Sequence, residues 1–596
     1  MPTYKAPTRE FAFLLHEVLD LQRYANLPGF AEATPDLLDQ IMEQAGKLAE
    51  EVLQPLNKVG DEQGCVLADG EVKTPDGFAA AYQQLVDGGW PSLVCAPDYG
   101  GQGFPNTIGV LFNEMISSAN MAFGMYPGLS HGAYSALTHH GSDALKATYL
   151  PKLVTGEWTG TMNLTEPHCG TDLGLLRSKA VPNGDGSYAV TGQKIWISAG
   201  EHDMAENIIH LVLARIEGAP AGVSGISLFV VPKFLVNDDG SLGARNALQC
   251  GGLEEKMGIH GNATCVMNYD GATGWLVGEE NSGLKAMFTM MNEARLNVGL
   301  QGISQSEVAY QNARDFALDR LQGRALTGPK NPDGPADPII VHPDVRRMLM
   351  NIRVFNEGAR ALLAWTALWG DLAERAEDAE TREKGDDLMG LMTPVLKGYC
   401  TDIGFANTVE AQQVYGGSGF TKEWGAEQFV RDSRITMIYE GTNGIQALDL
   451  VGRKLASKGG RAVFTFFKEV DDFIAANQDD AQMAEFLEPL AEARKQLEEA
   501  TTWFMENALE NPDNAGAGSA DYLHLFALTA IALMWGHMVK TARAGLANGA
   551  ADDAYYQNKL VSGRYFVKRV LPQTTAHLSA IKAGSEEVMA LAADAF

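Results

Sequence analysis

The sequence predicts an α+β protein in four successive regions, helical, β, helical and helical. Three observations predict it. Apolar residues recur at helical spacing over residues 1–160; short runs of β-formers between turn residues replace that spacing over 161–283; helical spacing then returns through 284–455 and 456–596. A chain of 596 residues exceeds what one core can hold, and about one domain per 150 residues agrees with four regions.

In the first region Thr34 stands as an N-cap before Pro35 in the first turn. Leu37, Leu38, Ile41, Met42, Ala45, Leu48, Val52 and Leu53 then share one helical face. Helical spacing continues to about residue 160, broken by the turn Pro97-Asp98-Tyr99-Gly100-Gly101. In the second region Asn183-Gly184-Asp185-Gly186 precedes Tyr188–Thr191, and Ile208–Ile216 and Ile226–Val231 are further strand runs. Helices follow at Glu307–Leu318 and Val345–Trp369, separated by Thr327–Pro338, whose prolines make it a surface loop. In the last region Phe486–Leu490 leads into Trp503 and Phe504, and the Asn/Gly/Ala-rich stretch Asn511–Ser519 is expected to be a dividing loop. The oiliest segment, Leu523–Val539, contains His524 and His537 and is shorter than the roughly 18 uncharged apolar residues of a membrane span, so a buried helix is expected.

Lys and Arg number 46 against 75 Asp and Glu, a net charge of −29 that repels nucleic acid and anionic membranes. The six cysteines form no C-x-x-C pair and no zinc-like spacing, so reduced thiols and no metal are expected. The N-terminus lacks the basic-then-apolar pattern of a secretion signal, which makes a cytoplasmic location the expectation.

Gly128-Leu129-Ser130-His131-Gly132 has the letters of a nucleophile elbow, but no strand precedes it, and a helix-end turn is the better reading. No G-x-G-x-x-G, P-loop or H-E-x-x-H occurs, and the adjacent His139 and His140 point to different faces of a helix. Three other segments carry more. Met162–Asp172 (M-N-L-T-E-P-H-C-G-T-D) offers backbone N–H groups and two threonine hydroxyls, to a polar ring or phosphate or simply within a capped turn. Gln193–Ser198 (Q-K-I-W-I-S) reads as an alternating strand with Trp196 and Ser198 on one face, where Trp196 is either core or ligand platform. The third set is Gln413–Phe420 (Q-V-Y-G-G-S-G-F), Arg431–Arg434 and Ile438–Gln446 (I-Y-E-G-T-N-G-I-Q). Its glycines allow close ligand approach, and Glu440 lies among aromatic and aliphatic neighbours. A carboxylate so placed suits a general base, and equally a helix-start glutamate facing the macrodipole; the residues alone leave both open.

Taken together and in this order, T-E-P-x-x-G-(S/T)-D, W-I-(S/T), the R-x-Q-G-R of Arg320–Arg324, Q-x-x-G-G-x-G and I-Y-E-G-T resemble the acyl-CoA dehydrogenase family over residues 35–455. The added C-terminal region and a length near 600 resemble its long subgroup. The resemblance implies an N-terminal helical domain, a small β domain, a four-helix domain and an extra helical domain. It also implies FAD, oxidation of an acyl-CoA thioester to the trans-2-enoyl-CoA with 3-methylmercaptopropionyl-CoA as the expected substrate, an electron-transfer flavoprotein as partner, and a homodimer, with a tetramer as the alternative. Carried over residue by residue, it makes Glu440 the catalytic base and assigns Leu164, Thr165, Gly170, Thr171, Trp196 and Ser198 to the flavin. Arg320 and Gln322 are implied at the pyrophosphate of a neighbouring subunit's FAD, Gln413, Gly416 and Gly417 at its ADP half, and Thr442 beside FAD. Thr171, Arg295, Tyr439, Glu440 and Gly441 are implied on the substrate side. Gly323 and Gly444 stand where shorter members carry phenylalanine and glutamine, and His168-Cys169 and Thr171 also depart from the usual pattern. A general short- or medium-chain acyl-CoA dehydrogenase, or an acyl-CoA oxidase, is the same-fold alternative, and a non-catalytic flavin-bearing DNA-associated scaffold the alternative of another class.

Overall fold

A computed structural model describes residues 2–549 and 552–596, and the chain divides into two compact units. One comprises Gln44–Phe104 and Met115–Asn297; the other comprises the residues up to Glu43, Pro105–Glu114 and Val298–Phe596.

The first unit is organised by the strand Asn207–Ile216, in which every residue except Arg215 is buried. Side chains alternate across a strand, so one run of apolar residues can fill two cores. Ile209, Leu211 and Leu213 join Trp158, Leu228 and the helix residues Ala133, Leu137 and Leu150. Val212, Ala214 and Ile216 join Val190, Phe229, Met267 and Tyr269. Thr264–Val277 bonds to Tyr188–Ser198 and to Ile226–Pro232, Ile226–Pro232 bonds to Asn207–Ile216, and Lys179–Pro182 links that strand back to Tyr188–Ser198. These five strands close on themselves, which removes most free edges. Trp158–Asn163 and Leu248–Leu253 flank the ring, the former parallel to Asn207–Ile216.

Two expectations change in this unit, and the mostly helical first region gains a short hairpin, Val66–Ala68 with Glu71–Lys73, turned at Asp69-Gly70. Both turn residues have positive φ, +53° and +81°, as a two-residue hairpin turn requires. The G-x-S-x-G run lies inside the helix Met121–His140, neither at an elbow nor at a helix end, and the Ser130 hydroxyl donates to the Tyr126 carbonyl at 3.1 Å. The strand carrying Trp196 does not alternate strictly. Its pairing skips from Ile197–Cys265 to Lys194–Met267, so Ile195 and Trp196 oppose the single residue Val266 in a bulge.

In the second unit the helices Pro343–Arg375 and Ala379–Val414 pack with the C-terminal part of Gly283–Asp319, a helix that runs across both units. Close approach is built into the sequence: a Cβ on Gly302 or on Gly404 would lie 2.3 Å from the facing backbone carbonyl, of Cys400 and of Gly302 respectively. Residues 327–338 are non-helical, as the prolines predict. The C-terminal region adds Arg461–Asn477, Ala484–Asn507, Pro512–Ala547, Asp553–Tyr565 and Gln573–Ala583. The loop expected at Asn511–Ser519 is helix from Pro512 onward. Asn511 caps it by accepting from Asp513 N at 3.1 Å, Pro512 takes the first position, and the bare Gly518 fits against the Phe504 ring. This 512–547 helix is the one described helix long and apolar enough to cross a membrane, and 89% of its most apolar window is buried in the fold.

Candidate active site

Glu440 lies in the loop between the helices Ala426–Arg434 and Asn443–Asp449. Thr442 caps the second helix, with its hydroxyl 3.4 Å from Ile445 N, so Glu440 precedes the cap by two residues and is not in the first helical turn. Its φ is +57°, followed by +83° at Gly441. A non-glycine residue in the left-handed region costs about 1 kcal/mol or more, and persists where surrounding contacts over-determine it. Those contacts are present. The buried Lys397 donates to the Gly441 carbonyl and to Asn443 Oδ1, each at 2.7 Å. The buried Gln446 side chain donates to the Glu440 carbonyl at 3.0 Å. The Tyr439 hydroxyl donates to Gln301 Oε1. Burial pushes the Tyr439 phenol well up, and the adjacent Glu440 pushes it further, so the phenol stays protonated. The Glu440 side chain itself is half-buried.

Leu164, Thr165, Gly170, Thr171, Trp196 and Ser198 come together in the other unit as one ledge. Ile195 N donates to the Thr165 carbonyl at 2.9 Å, and the fully buried Lys194 donates to the Leu164 carbonyl and to Glu166 Oε1, both at 2.9 Å. Glu166 also accepts from Arg177 N at 2.7 Å and Ser178 N at 3.0 Å. Burial raises the Glu166 carboxyl, but Lys194 and these donors bring it below the usual carboxylate range. Burial lowers the Lys194 ammonium, and Glu166 opposes that shift. Donor atoms of Glu166, His168 and Cys169 lie within 4.8 Å of one another, yet the Glu166 oxygens are already committed to Lys194 and the backbone, which makes the cluster structural. Gly170 and Thr171 are exposed on the same loop. Trp196, at φ +59°, is 61% exposed, while the Ser198 carbonyl is held by the Thr161 hydroxyl at 2.6 Å.

Arg320, Gln322, Gln413, Gly416 and Gly417 form a third, exposed group within the helical unit. The Arg320 guanidinium lies 4.7 Å from the Phe316 ring and 5.8 Å from that of Trp424. The Phe316 ring in turn lies tilted at 4.3 Å from that of Tyr415, which immediately precedes Gly416. A Cβ on either Gly416 or Gly417 would meet nothing within 4 Å, so bare backbone faces open space beside a cation. The Arg320–Gln322 segment is tied down by Asp337. Burial raises that carboxyl, but the backbone N–H groups of Ala325, Asn331 and Lys330, with Arg324, bring it down to about 2. Arg295 is buried in the β-bearing unit, 5.8 Å from the Phe288 ring.

Sequence reasoning missed the residues that hold these groups: Lys194 and Glu166 under the ledge, and Lys397, Asn443, Gln446 and Gln301 around Glu440. A signal existed for some. Lys194 is charged at an inward position of a strand, and Lys397 is a lone cation in the apolar run Thr393–Cys400.

The N-terminal, middle and C-terminal domains of the acyl-CoA dehydrogenase family match residues 36–157, 161–272 and 281–455, and an acetyl-CoA dehydrogenase C-terminal-like domain matches 466–592. A 3-methylmercaptopropionyl-CoA dehydrogenase of Ruegeria pomeroyi is 43% identical over 97% of this chain and 98% of its own length. The chain belongs to the acyl-CoA dehydrogenase family. A butyryl-CoA dehydrogenase of Syntrophomonas wolfei is 33% identical over 100% of this chain and 99% of its own. The solved structure of Caenorhabditis elegans ACDH-11 in complex with C11-CoA superposes with a TM-score of 0.79 over 98% of this chain and 95% of that one, at 19% identity. This acyl-CoA dehydrogenase thus has the family fold, N-terminal helical, middle β and C-terminal helical domains with a further helical domain appended, and is an oxidoreductase.

Proposed function

We propose that this acyl-CoA dehydrogenase oxidises 3-methylmercaptopropionyl-CoA to methylthioacryloyl-CoA, with Glu440 as the base that removes the α-proton. The reaction class rests on Glu440, a carboxylate held by its own backbone at the apex of a left-handed turn in the I-Y-E-G-T segment. The substrate rests on the 43% identity over nearly the whole length of the Ruegeria relative. The residues present fit FAD. An exposed indole on a strand bulge suits a planar ring, and an arginine beside bare glycine backbone suits a pyrophosphate. Leu164, Thr165, Gly170, Thr171, Trp196 and Ser198 would hold the ring; Arg320, Gln322, Gln413, Gly416, Gly417 and Thr442 the dinucleotide part, in a homodimer whose sites are completed across the subunit interface. FAD, when bound, would supply the acceptor for the β-hydride, with an electron-transfer flavoprotein as the partner that reoxidises the enzyme.

The protein's own part is proton removal and carbonyl polarisation. Loss of an α-proton builds negative charge on the thioester oxygen, and a fixed backbone N–H, that of Glu440, stabilises it without reorganisation. Tyr439, kept as a neutral phenol, leaves Glu440 the anionic group of the loop. Thr171, Arg295 and Gly441 complete the substrate side.

The test is an acyl-CoA panel assayed with a ferrocenium acceptor. We expect kcat/KM for 3-methylmercaptopropionyl-CoA about tenfold or more above that for butyryl-CoA, the size of a well-fitted one-group difference in a pocket. The reverse order would make the enzyme a general short-chain dehydrogenase, and stoichiometric hydrogen peroxide without acceptor would make it an oxidase. A second expectation concerns the ledge. Lys194→Met leaves Glu166 buried without its cation and frees the Leu164 carbonyl, so the variant should lose its yellow colour on gel filtration, with an FAD Kd raised about tenfold or more in fluorescence titration. Wild-type flavin retention would separate the ledge from the cofactor.

A further inference from the structure

The loop carrying Glu440 is connected by side chains to the appended C-terminal helices, and the connection runs through polar groups. Asn443 receives Lys397 on its oxygen at 2.7 Å, and its amide nitrogen lies 2.9 Å from Thr401 Oγ1 and 2.6 Å from Asp402 Oδ1. The other oxygen of Asp402 is 2.9 Å from His524 Nε2. His524 belongs to the helix Pro512–Ala547, which packs against the helices Ala379–Val414 and Asn443–Asp449. Two rings neighbour the imidazole, Tyr399 edge-on at 5.2 Å and His577 at 5.4 Å, and His577 is itself anchored on Asp521 at 2.8 Å.

We propose that His524 is a positioning residue for the catalytic base: through Asp402 it fixes the Asn443 side chain, and Asn443 with Lys397 sets the backbone of Gly441 and so the reach of Glu440. The C-terminal helical region thereby takes part in catalysis without touching substrate. Glu440 occupies a backbone conformation it would leave if unrestrained, and the short restraints on the Gly441 and Asn443 side of it run through Lys397 and Asn443, at 2.7 Å, against a longer contact from Gln446 to the Gly441 carbonyl at 3.5 Å. Asp402 satisfies the Asn443 amide only while its own rotamer is held, and His524 is the group that holds its second oxygen. Misplacing a reacting group by a fraction of an ångström lowers the chemical step and leaves substrate binding largely intact.

This rests on Glu440 being the base. The experiment therefore compares His524→Phe, His524→Gln, Asn443→Ala, the double variant Asn443→Ala/His524→Phe, and Glu440→Gln as control, all as full-length holoenzyme. Two quantities are read: kcat and KM with a ferrocenium acceptor, and the rate at which α-protium of the acyl-CoA exchanges into D2O by mass spectrometry, which reports proton abstraction separately from turnover. His524→Phe should lower kcat and α-exchange together about tenfold at unchanged KM. His524→Gln, which retains a nitrogen donor, should recover most of that loss. The phenylalanine should have no further effect in the Asn443→Ala background, because the two act in series. If His524→Phe does not fold, Asp402→Ala cuts the same connection and is read in the same way. Wild-type kcat and exchange in a connection-breaking variant, or additive losses in the double variant, overturn the positioning role while the control leaves the base assignment standing. Full turnover in Glu440→Gln instead removes the base assignment on which it rests.

Discussion

Glu440→Gln should lower kcat by about 10²–10⁴-fold, the range contributed by a positioned general base, while the protein stays yellow. The amide is isosteric with the carboxylate but cannot accept the α-proton, so the loss falls on the chemical step. Residue 440 is held by its main chain. Gln446 donates to its carbonyl and Lys397 to the next one, and neither contact involves the carboxylate. Glutamine pays the same left-handed strain as glutamate, so the unfolding midpoint should stay within about 2 °C of wild type, as for a substitution worth less than ~0.5 kcal/mol. Three measurements on one preparation decide it: the visible flavin spectrum, the thermal midpoint and the rate of enoyl-CoA formation. Turnover near wild type with the flavin intact would mean that another group takes the proton.

What the sequence revealed and what it hid divide along physical lines. Strands such as Asn207–Ile216 are legible because burial on both faces demands an apolar run, and the Thr327–Pro338 loop because proline cannot sit in a helix interior. The Trp196 bulge was not legible. Strict alternation describes an ideal pleat, and the extra residue becomes visible only when the strand is registered against Thr264–Val277. The helix start at Asn511-Pro512 was present in the letters as cap and first residue, but the glycine and alanine that follow look like a linker unless Phe504 is known to pack against Gly518. Glu440 was legible as one residue of a motif, yet that it lies outside the first helical turn required its φ and the position of the Thr442 cap. Its supports were hidden because they lie far away in sequence: Lys397 and Asp402 are 46 and 41 residues from Asn443, and His524 a further 122 from Asp402. No local pattern reports a contact of that range.

Lys559→Met should destabilise the protein by about 3–5 kcal/mol at neutral pH, the usual cost of removing one partner from a buried ion pair. Lys559 is fully buried and lies between Glu10, at 2.5 and 2.6 Å from its two oxygens, and Glu357, at 3.0 Å. Glu357 keeps Arg353 at 2.9 Å when the lysine is gone. Glu10 keeps the Tyr555 hydroxyl and the more remote fields of Arg360 and Arg353, but has no other ion-pair partner among the described residues. In the wild type, burial raises the Glu10 carboxyl, and Lys559 and Arg360 outweigh burial to bring it below its ordinary 4.5. A depressed carboxylate contributes stability that is present above pH 4.5 and is lost as pH falls through its lower folded value. In Lys559→Met burial is no longer balanced, so the Glu10 carboxyl rises above 4.5 and the folded variant takes up a proton before the unfolded chain does. The gap in stability between the two proteins should therefore be widest near neutral pH, narrow as pH falls toward 4.5 because the variant's Glu10 takes up its proton first, and narrow further below 4.5 as the wild type loses its own contribution. Urea melts of both proteins at several pH values read this directly. A gap that stays constant with pH would assign the loss to packing of the lysine stem rather than to the unpaired Glu10 charge, since loss of apolar contact does not titrate.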